Sequence, residues 1–292
     1  MIRWFETRGV RLRRLSKVRC IACDLDGTLL TARNTIHPSV LDAIAEARRE
    51  GIRIILASGR TDGFTRRYAE QTGSTAPIIS LNGALIKNAD GSLLIQHSLS
   101  TRVTETAEEF GRQPQGAQLS WSFFTFDGVV SYDDHPILPH YLRTDSALIR
   151  QVNDLQPYHE LSVLFCAAGP YRAIQELSVL LAKRTGSSII RSIYQSGSGK
   201  DLYYLEVKNR RINKSIGLKH VIDALGIRRK ETAAIGDYSN DIEMCTFAGV
   251  SAAMRNGIAD LQAAADYTTR MDNNDGGVAD FIHLILAHRN RT

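Results

Sequence analysis

Short apolar runs that each end in a cluster of polar residues, separated by stretches of helical spacing, constrain this chain more than any other feature. Residues 18–23 form one such run and stop at Asp24-Leu25-Asp26-Gly27-Thr28. Residues 52–57 deliver Ser58-Gly59-Arg60, residues 77–81 deliver Asn82-Gly83, and residues 232–235 deliver Gly236-Asp237. Runs this short and this apolar are what strands covered on both faces require. Between the first two, Leu41, Ile44, Ala45 and Ala47 recur at helical spacing after Ser39, the expected N-cap, and the pattern stops at Gly51. A second helix is expected over residues 214–225. The alternation predicts an α/β fold, a doubly wound parallel sheet of Rossmann-like type. Such sheets bind ligands beyond the carboxyl ends of their strands, so these polar clusters are expected to meet.

Between Gly83 and Lys214 the pattern changes to short strand-like pieces, at residues 86–95, 119–126, 161–167 and 203–207, with a helical stretch at 171–182. A stretch of this length is too long for a loop. An inserted α+β domain is therefore expected over residues 85–208, within a core made of 18–84 and 209–292 and preceded by a basic extension, 1–17.

The formal charge of +5 raises a nucleic-acid partner as a possibility to test. Residues 1–19 hold seven basic residues and one acidic, whereas the rest of the chain holds 29 basic and 30 acidic. The body lacks surplus positive charge, so no nucleic acid is expected to bind it. The tail itself, with Ile2, Trp4, Phe5, Val10, Leu12 and Leu15 among arginines, reads as a solvated extension, with weak contact to an anionic surface or partner as the second reading. No run approaches the roughly 18 apolar residues of a membrane span, so no transmembrane segment is expected. Four cysteines, at 20, 23, 166 and 245, make no disulfide framework and fit a reducing, cytoplasmic compartment. Cys20 and Cys23 lie in an apparent strand, where odd spacing points them to opposite faces as core residues. Gly197-Ser198-Gly199-Lys200 lacks the earlier glycine and the following hydroxyl of a phosphate-binding loop and reads as a hairpin turn.

The DLDGT segment places two carboxylates two residues apart just past a buried strand, where they can sit at different depths. Asp24 is suited to be a nucleophile, splitting one slow hydrolysis into two easier steps. Asp26 is suited to protonate the leaving oxygen and then activate water. Gly27 permits a tight turn that the Thr28 hydroxyl can steady. This segment resembles the first motif of haloacid dehalogenase phosphatases. Ser58-Gly59-Arg60 resembles their second motif, Lys214 after Asn213 their third, and Gly236-Asp237-Tyr238-Ser239-Asn240-Asp241 their fourth, all in the family's order. Tyr238 departs from that pattern, standing where a small residue is common.

The resemblance implies a set of roles. Asp24, the Asp26 carbonyl and Asp237 would hold Mg2+, with Thr28 and Asp241 supporting them from behind. Ser58, Gly59, Arg60, Asn82, Lys214 and Asn240 would bind phosphate, Asn240 alternatively touching a metal-bound water. Lys214 would also neutralise the nucleophile. Placement of the insert between the second and third motifs, with Asn82-Gly83 before it and the run from Ala253-Met254-Arg255-Asn256-Gly257 to Asp275-Gly276-Gly277 after it, is similar to the Cof-type, class IIB branch. That branch uses its insert as a cap whose cleft-facing residues choose the substrate; Trp121, Phe123, Phe124, Tyr132, His140 and Arg143 are candidates by residue type. The expected activity is magnesium-dependent hydrolysis of a small phosphorylated metabolite, a sugar phosphate or a phosphorylated cofactor. A phosphomutase on the same scaffold and a non-catalytic phosphate-ligand binding protein are the alternatives.

Overall fold

The structure, a computed structural model, describes residues 12–133, 135–143, 148–197 and 201–289. In chain order the strands and helices are β1 (Cys20–Cys23), α1 (Pro38–Arg49), β2 (Arg53–Leu56), α2 (Asp62–Gln71), β3 (Ile78–Ser80), β4 (Leu85–Lys87), β5 (Leu93–Gln96) and α3 (Thr101–Gly111). They continue with β6 (Ser120–Thr125), β7 (Gly128–Ser131), β8 (Ile149–Gln151), β9 (Leu164–Gly169), α4 (Tyr171–Thr185), β10 (Ile189–Gln195) and β11 (Tyr203–Asn209). Last come α5 (Lys214–Ala224), β12 (Thr232–Gly236), α6 (Ile242–Phe247), β13 (Val250–Ala253), α7 (Ala259–Ala264), β14 (Tyr267–Thr268) and α8 (Gly277–Arg289). Two compact units result, Met1–Leu94 with Asn213–Thr292, and Ile95–Ile212.

The first unit is built on a parallel sheet in the order β14-β13-β12-β1-β2. Every residue of β1 and β12 is buried, which is why these strands read as unbroken apolar runs dominated by small and β-branched side chains. On one face Ile21, Cys23, Ile54, Leu56, Ala233 and Ile235 pack against α1 and α8. Helix α1 presents Val40, Ala43, Ile44 and Ala47, one apolar stripe at helical spacing. On the other face α6 packs on β12 and is itself met by α5. The fold is thus the doubly wound α/β arrangement that the alternation of runs and helices predicts, carrying an α+β insert. Helix α1 begins two residues earlier than Ser39 implies: His37 is the N-cap, its imidazole accepting from the Ser39 amide, and Pro38 fills the first helical position, where no amide is needed.

Sequence alone places the start of the insert at residue 85. In the structure β4 pairs antiparallel with β3, and the chain through Leu94 groups with the first unit. The second unit is a six-stranded sheet, β10-β11-β9-β6-β7-β8, antiparallel except for the β7–β8 pair. Val103, Ala107 and Phe110 of α3 and Ile174, Leu177 and Leu181 of α4 cover one face of it, against Trp121, Phe123, Phe165, Leu205 and Val207. Trp121, Phe123 and Phe124 are therefore buried packing residues of this unit, whereas Tyr132, His140 and Arg143 are at least partly exposed. Strands β10 and β11 pair antiparallel on either side of the Gly197-to-Lys200 segment, of which residues 198–200 lie outside the described residues.

The basic extension divides. Residues 1–11, which carry the expected amphipathic contact, lie outside the described residues. Leu12–Lys17, by contrast, is a short 3-10 helix packed on α8, with Leu15 and Val18 fully buried in the core of the first unit. Leu15→Ala is accordingly expected to destabilise the protein by about 3 kcal/mol, the usual range for emptying a buried leucine site. A urea midpoint unchanged by that substitution would mean that the segment is not part of the core. All four cysteines are buried and free, and burial raises each thiol, as expected of packing residues. No helix among the described residues is long and apolar enough to cross a membrane.

Candidate active site

Register brings the polar clusters of the first unit together. Cys23 of β1 stands level with Ile235 of β12 and Leu56 of β2, so the residues that follow leave the sheet side by side. The Asp24 amide donates to the Ile235 carbonyl at 3.1 Å, and the Ala57 amide to the Cys23 carbonyl at 3.0 Å. Strand β3 joins this edge, the Ser58 amide donating to Ile79 at 2.9 Å.

Asp24, Asp237 and Asp241 each offer a carboxylate oxygen within 4.8 Å of the others. Lys214, in the first turn of α5 and fully buried, donates to Asp24 Oδ1 and, at 2.7 Å, to Asp241 Oδ1. Asn213 caps that helix, its side chain accepting from the Ile216 amide at 2.9 Å, which fixes where Lys214 starts. The second oxygen of Asp241 accepts the amides of Asp237 and Tyr238, each at 3.1 Å. Asp241 therefore organises the loop after β12, while Tyr238 points outward at 61% exposure.

Three carboxylates face one ammonium in a nearly dry space, and the electrostatics follow. Burial, then repulsion from Asp241, pushes the Asp24 carboxyl well above the ordinary range against the pull of Lys214. Asp237 rises to about 6, chiefly through burial, with the Thr28 hydrogen bond opposing and Asp241 adding to the rise. Burial works against the charge of Lys214, but Asp24 and Asp241 outweigh it and raise the ammonium above its ordinary value. An all-oxygen donor set with negative charge in excess is the chemistry that suits a hard divalent cation.

The turn after β1 is shaped around Asp237. Thr28 Oγ1 donates to Asp237 Oδ1 at 2.8 Å, so its hydroxyl fixes a carboxylate across the site and not only its own turn. Gly27 has φ +79°, and a Cβ there would be driven into Asp237 Oδ2. Asn256 Nδ2 donates to the Gly27 carbonyl at 2.8 Å, and the Asn273 amide to Asn256 Oδ1 at 3.1 Å. Asn256 is thus a support that the motif reading names only as part of the family's C-terminal pattern. Its one sequence signal is an Asn-Gly pair soon after the fourth motif.

Asp24 and Asp26 do lie at different depths: Asp24 is buried, whereas the Asp26 side chain is 43% exposed. Arg60 grips Asp26 through two nitrogens, Nε to Oδ2 at 2.9 Å and Nη2 to Oδ1 at 2.7 Å. Ser58 is buried, and its hydroxyl accepts the Arg60 amide at 3.1 Å. Gly59 brings the backbone close to Asn82, whose Nδ2 would lie 3.1 Å from any Cβ. Leu81 and Asn82 both hold positive φ, +48° and +56°, followed by Gly83 at +96°. For a leucine that conformation costs free energy, and such strain concentrates at functional sites. It presents Asn82 Oδ1 to Asn240 Nδ2 at 2.9 Å, joining residues 158 positions apart. Every catalytic, phosphate-binding and metal-holding residue expected from the sequence therefore belongs to this first unit, whereas the six substrate-choosing candidates belong to the second.

Comparison with known proteins agrees in kind. The sequence profile of the haloacid dehalogenase-like hydrolases matches residues 21–282. The chain is 27% identical over 280 residues to the 5-amino-6-(5-phospho-D-ribitylamino)uracil phosphatase of Bacillus subtilis, covering 91% of this chain and 97% of that one. It is 25% identical over 262 residues to a phosphoglycolate phosphatase of Methanosarcina acetivorans, covering 90% and 94%. Among solved structures, a haloacid dehalogenase-like hydrolase from Bacteroides thetaiotaomicron superposes with a TM-score of 0.73 at 27% identity, over 92% of this chain and 99% of that one.

Proposed function

The chain belongs to the haloacid dehalogenase-like hydrolases and is a phosphatase; from that premise we propose that it hydrolyses the monoester of a small phosphorylated metabolite with Asp24 as nucleophile and Mg2+ as cofactor. The observation that carries the reading is the buried Lys214 ammonium shared between Asp24 and Asp241, with Asp237 beside them. A nucleophilic carboxylate needs its charge tolerated next to an anionic phosphate, and a fixed, desolvated ammonium does that without reorganising.

In the first step a carboxylate oxygen of Asp24 attacks phosphorus, the bond to the ester oxygen breaks, and Asp26 gives that oxygen its proton. In the second, Asp26 takes a proton from water, whose oxygen attacks phosphorus, freeing inorganic phosphate and restoring Asp24. Lys214, the Ser58 hydroxyl, the Gly59 backbone, Asn82 and Asn240 hold the phosphate oxygens. Arg60 orients Asp26 and reaches phosphate only by loosening that grip, so its two contacts alternate in time. Asp24, Asp237 and the Asp26 carbonyl would hold the metal, which supplies neutralisation of phosphate charge. Asp241, whose oxygens already accept from Lys214 and two backbone amides, acts as their support, as does Thr28. The substrate class is a sugar phosphate or a phosphorylated cofactor, in keeping with relatives that bear the names of small-metabolite phosphatases.

Release of phosphate from an aryl phosphate, titrated with magnesium at several pH values, tests this. Activity is expected to vanish in a chelator and return with magnesium. Because a protonated Asp237 cannot bind a cation, and its carboxyl titrates near pH 6, the magnesium needed for half activation should rise as pH falls through that value, approaching about tenfold per unit. Full turnover in the chelator would remove the metal from the reading.

A further inference from the structure

The amino end of the parallel sheet, opposite the catalytic carboxylates, carries a second concentration of charge of the other sign. A cavity of about 700 Å³ opens there, lined by Arg14 and Lys17 from the N-terminal 3-10 helix and by Arg228, Arg229 and Lys230 from the turn that leads into β12. Ala248 and Gly249, just before β13, also line it among the described residues. Arg14 Nη1 reaches the Gly249 carbonyl at 3.4 Å, and Arg229 binds the Phe247 carbonyl and, at 3.2 Å, that of Thr246. Two of the five cations are thus tied to backbone at the rim. A third, Arg228, pairs with Glu231, the acidic residue of this turn, which Arg19 also approaches at 3.9 Å. Lys17 and Lys230 have no hydrogen-bond or ion-pair partner among the described residues.

Among the described residues, five exposed cations from segments more than 200 residues apart face one carboxylate here, and an anion seated among them would relieve their mutual repulsion. The space lies within the range of roughly 300–1,000 Å³ typical of small-ligand sites, and a single monoanion would fill and neutralise little of it. We propose that this cavity is a binding site for a ligand bearing clustered phosphates, with Lys17 and Lys230 as its chief contacts and Arg14 and Arg228 beside them. The site is independent of the catalytic roles assigned above, since it shares no residue with them. The same chemistry is offered by a soluble oligophosphate and by phosphate headgroups of an anionic lipid surface.

The test is calorimetric titration of sodium tripolyphosphate into the full chain in a chelator, so that the catalytic end holds no magnesium. Saturable binding is expected, weakened about tenfold or more in the Lys17→Gln/Lys230→Gln double variant and unchanged in Ser58→Ala. Hydrolysis of an aryl phosphate by the double variant should match that of the parent. No saturable binding, or binding lost in Ser58→Ala and kept in the double variant, overturns the site. Co-sedimentation with phosphatidylglycerol vesicles separates the sources. Sedimentation that needs the two lysines and is reversed by tripolyphosphate assigns the phosphate to lipid, whereas tripolyphosphate binding without sedimentation assigns it to a soluble ligand.

Discussion

Asp24→Asn is expected to lower turnover of an aryl phosphate by more than about 10⁴-fold, the scale on which loss of a covalent nucleophile acts, while leaving thermal stability equal or higher. The two halves of this expectation come from one geometry. The carboxylate is held in a buried space next to Asp241, which raises its carboxyl far above the ordinary range. An amide of the same shape removes that repulsion, and Lys214 keeps its bond to Asp241. Catalysis is lost because an amide oxygen cannot form the acyl phosphate. Stopped phosphate release combined with an undiminished melting temperature is the outcome to look for. Residual turnover above a few per cent would remove Asp24 from the chemistry.

Lys214→Met should harm both properties. It strips the ammonium from two buried carboxylates, and breaking a buried pair from one side costs about 3–5 kcal/mol. The sign of its pH dependence is fixed. In the variant the folded-state Asp24 carboxyl, already raised by burial and by Asp241, loses the opposing pull of Lys214 and sits even higher above its unfolded value of about 4, and a carboxyl raised by folding destabilises the native state progressively as pH rises past the unfolded value. The stability gap between variant and parent should therefore widen from pH 4 to pH 8 and narrow on acidification. Urea unfolding at several pH values measures it, and a gap independent of pH would mean that Lys214 contributes by packing alone. Turnover should fall alongside, since Asp24 would then lack its fixed counter-charge.

Much of this was legible in the sequence because catalytic groups at strand ends leave a local signature. An apolar run that stops at Asp24, Ser58, Asn82 or Asp237 carries both the fold and the place of the chemistry. What stayed hidden are relations between distant residues. Nothing in Ser58-Gly59-Arg60 reveals that the guanidinium grips Asp26, and nothing in DLDGT reveals that the Thr28 hydroxyl donates to Asp237, 209 positions away. Residue type misled where burial decides. Trp121, Phe123 and Phe124 have the character of pocket-lining aromatics, yet alternation along β6 and the row of helices above it makes Trp121 and Phe123 core residues. Leu15 went unrecognised for the opposite reason: among arginines a single apolar residue does not stand out, although it fastens the end of the basic segment to the folded body.

The placement of the four cysteines gives the molecule an internal pair of chemical clocks. Cys20, Cys23 and Cys245 lie inside the first unit and Cys166 inside the second, each shut away from solvent with its thiol shifted toward the unreactive form. A thiol reagent can reach them only when the surrounding unit opens, so the order in which they become labelled reports which half of the protein breathes first.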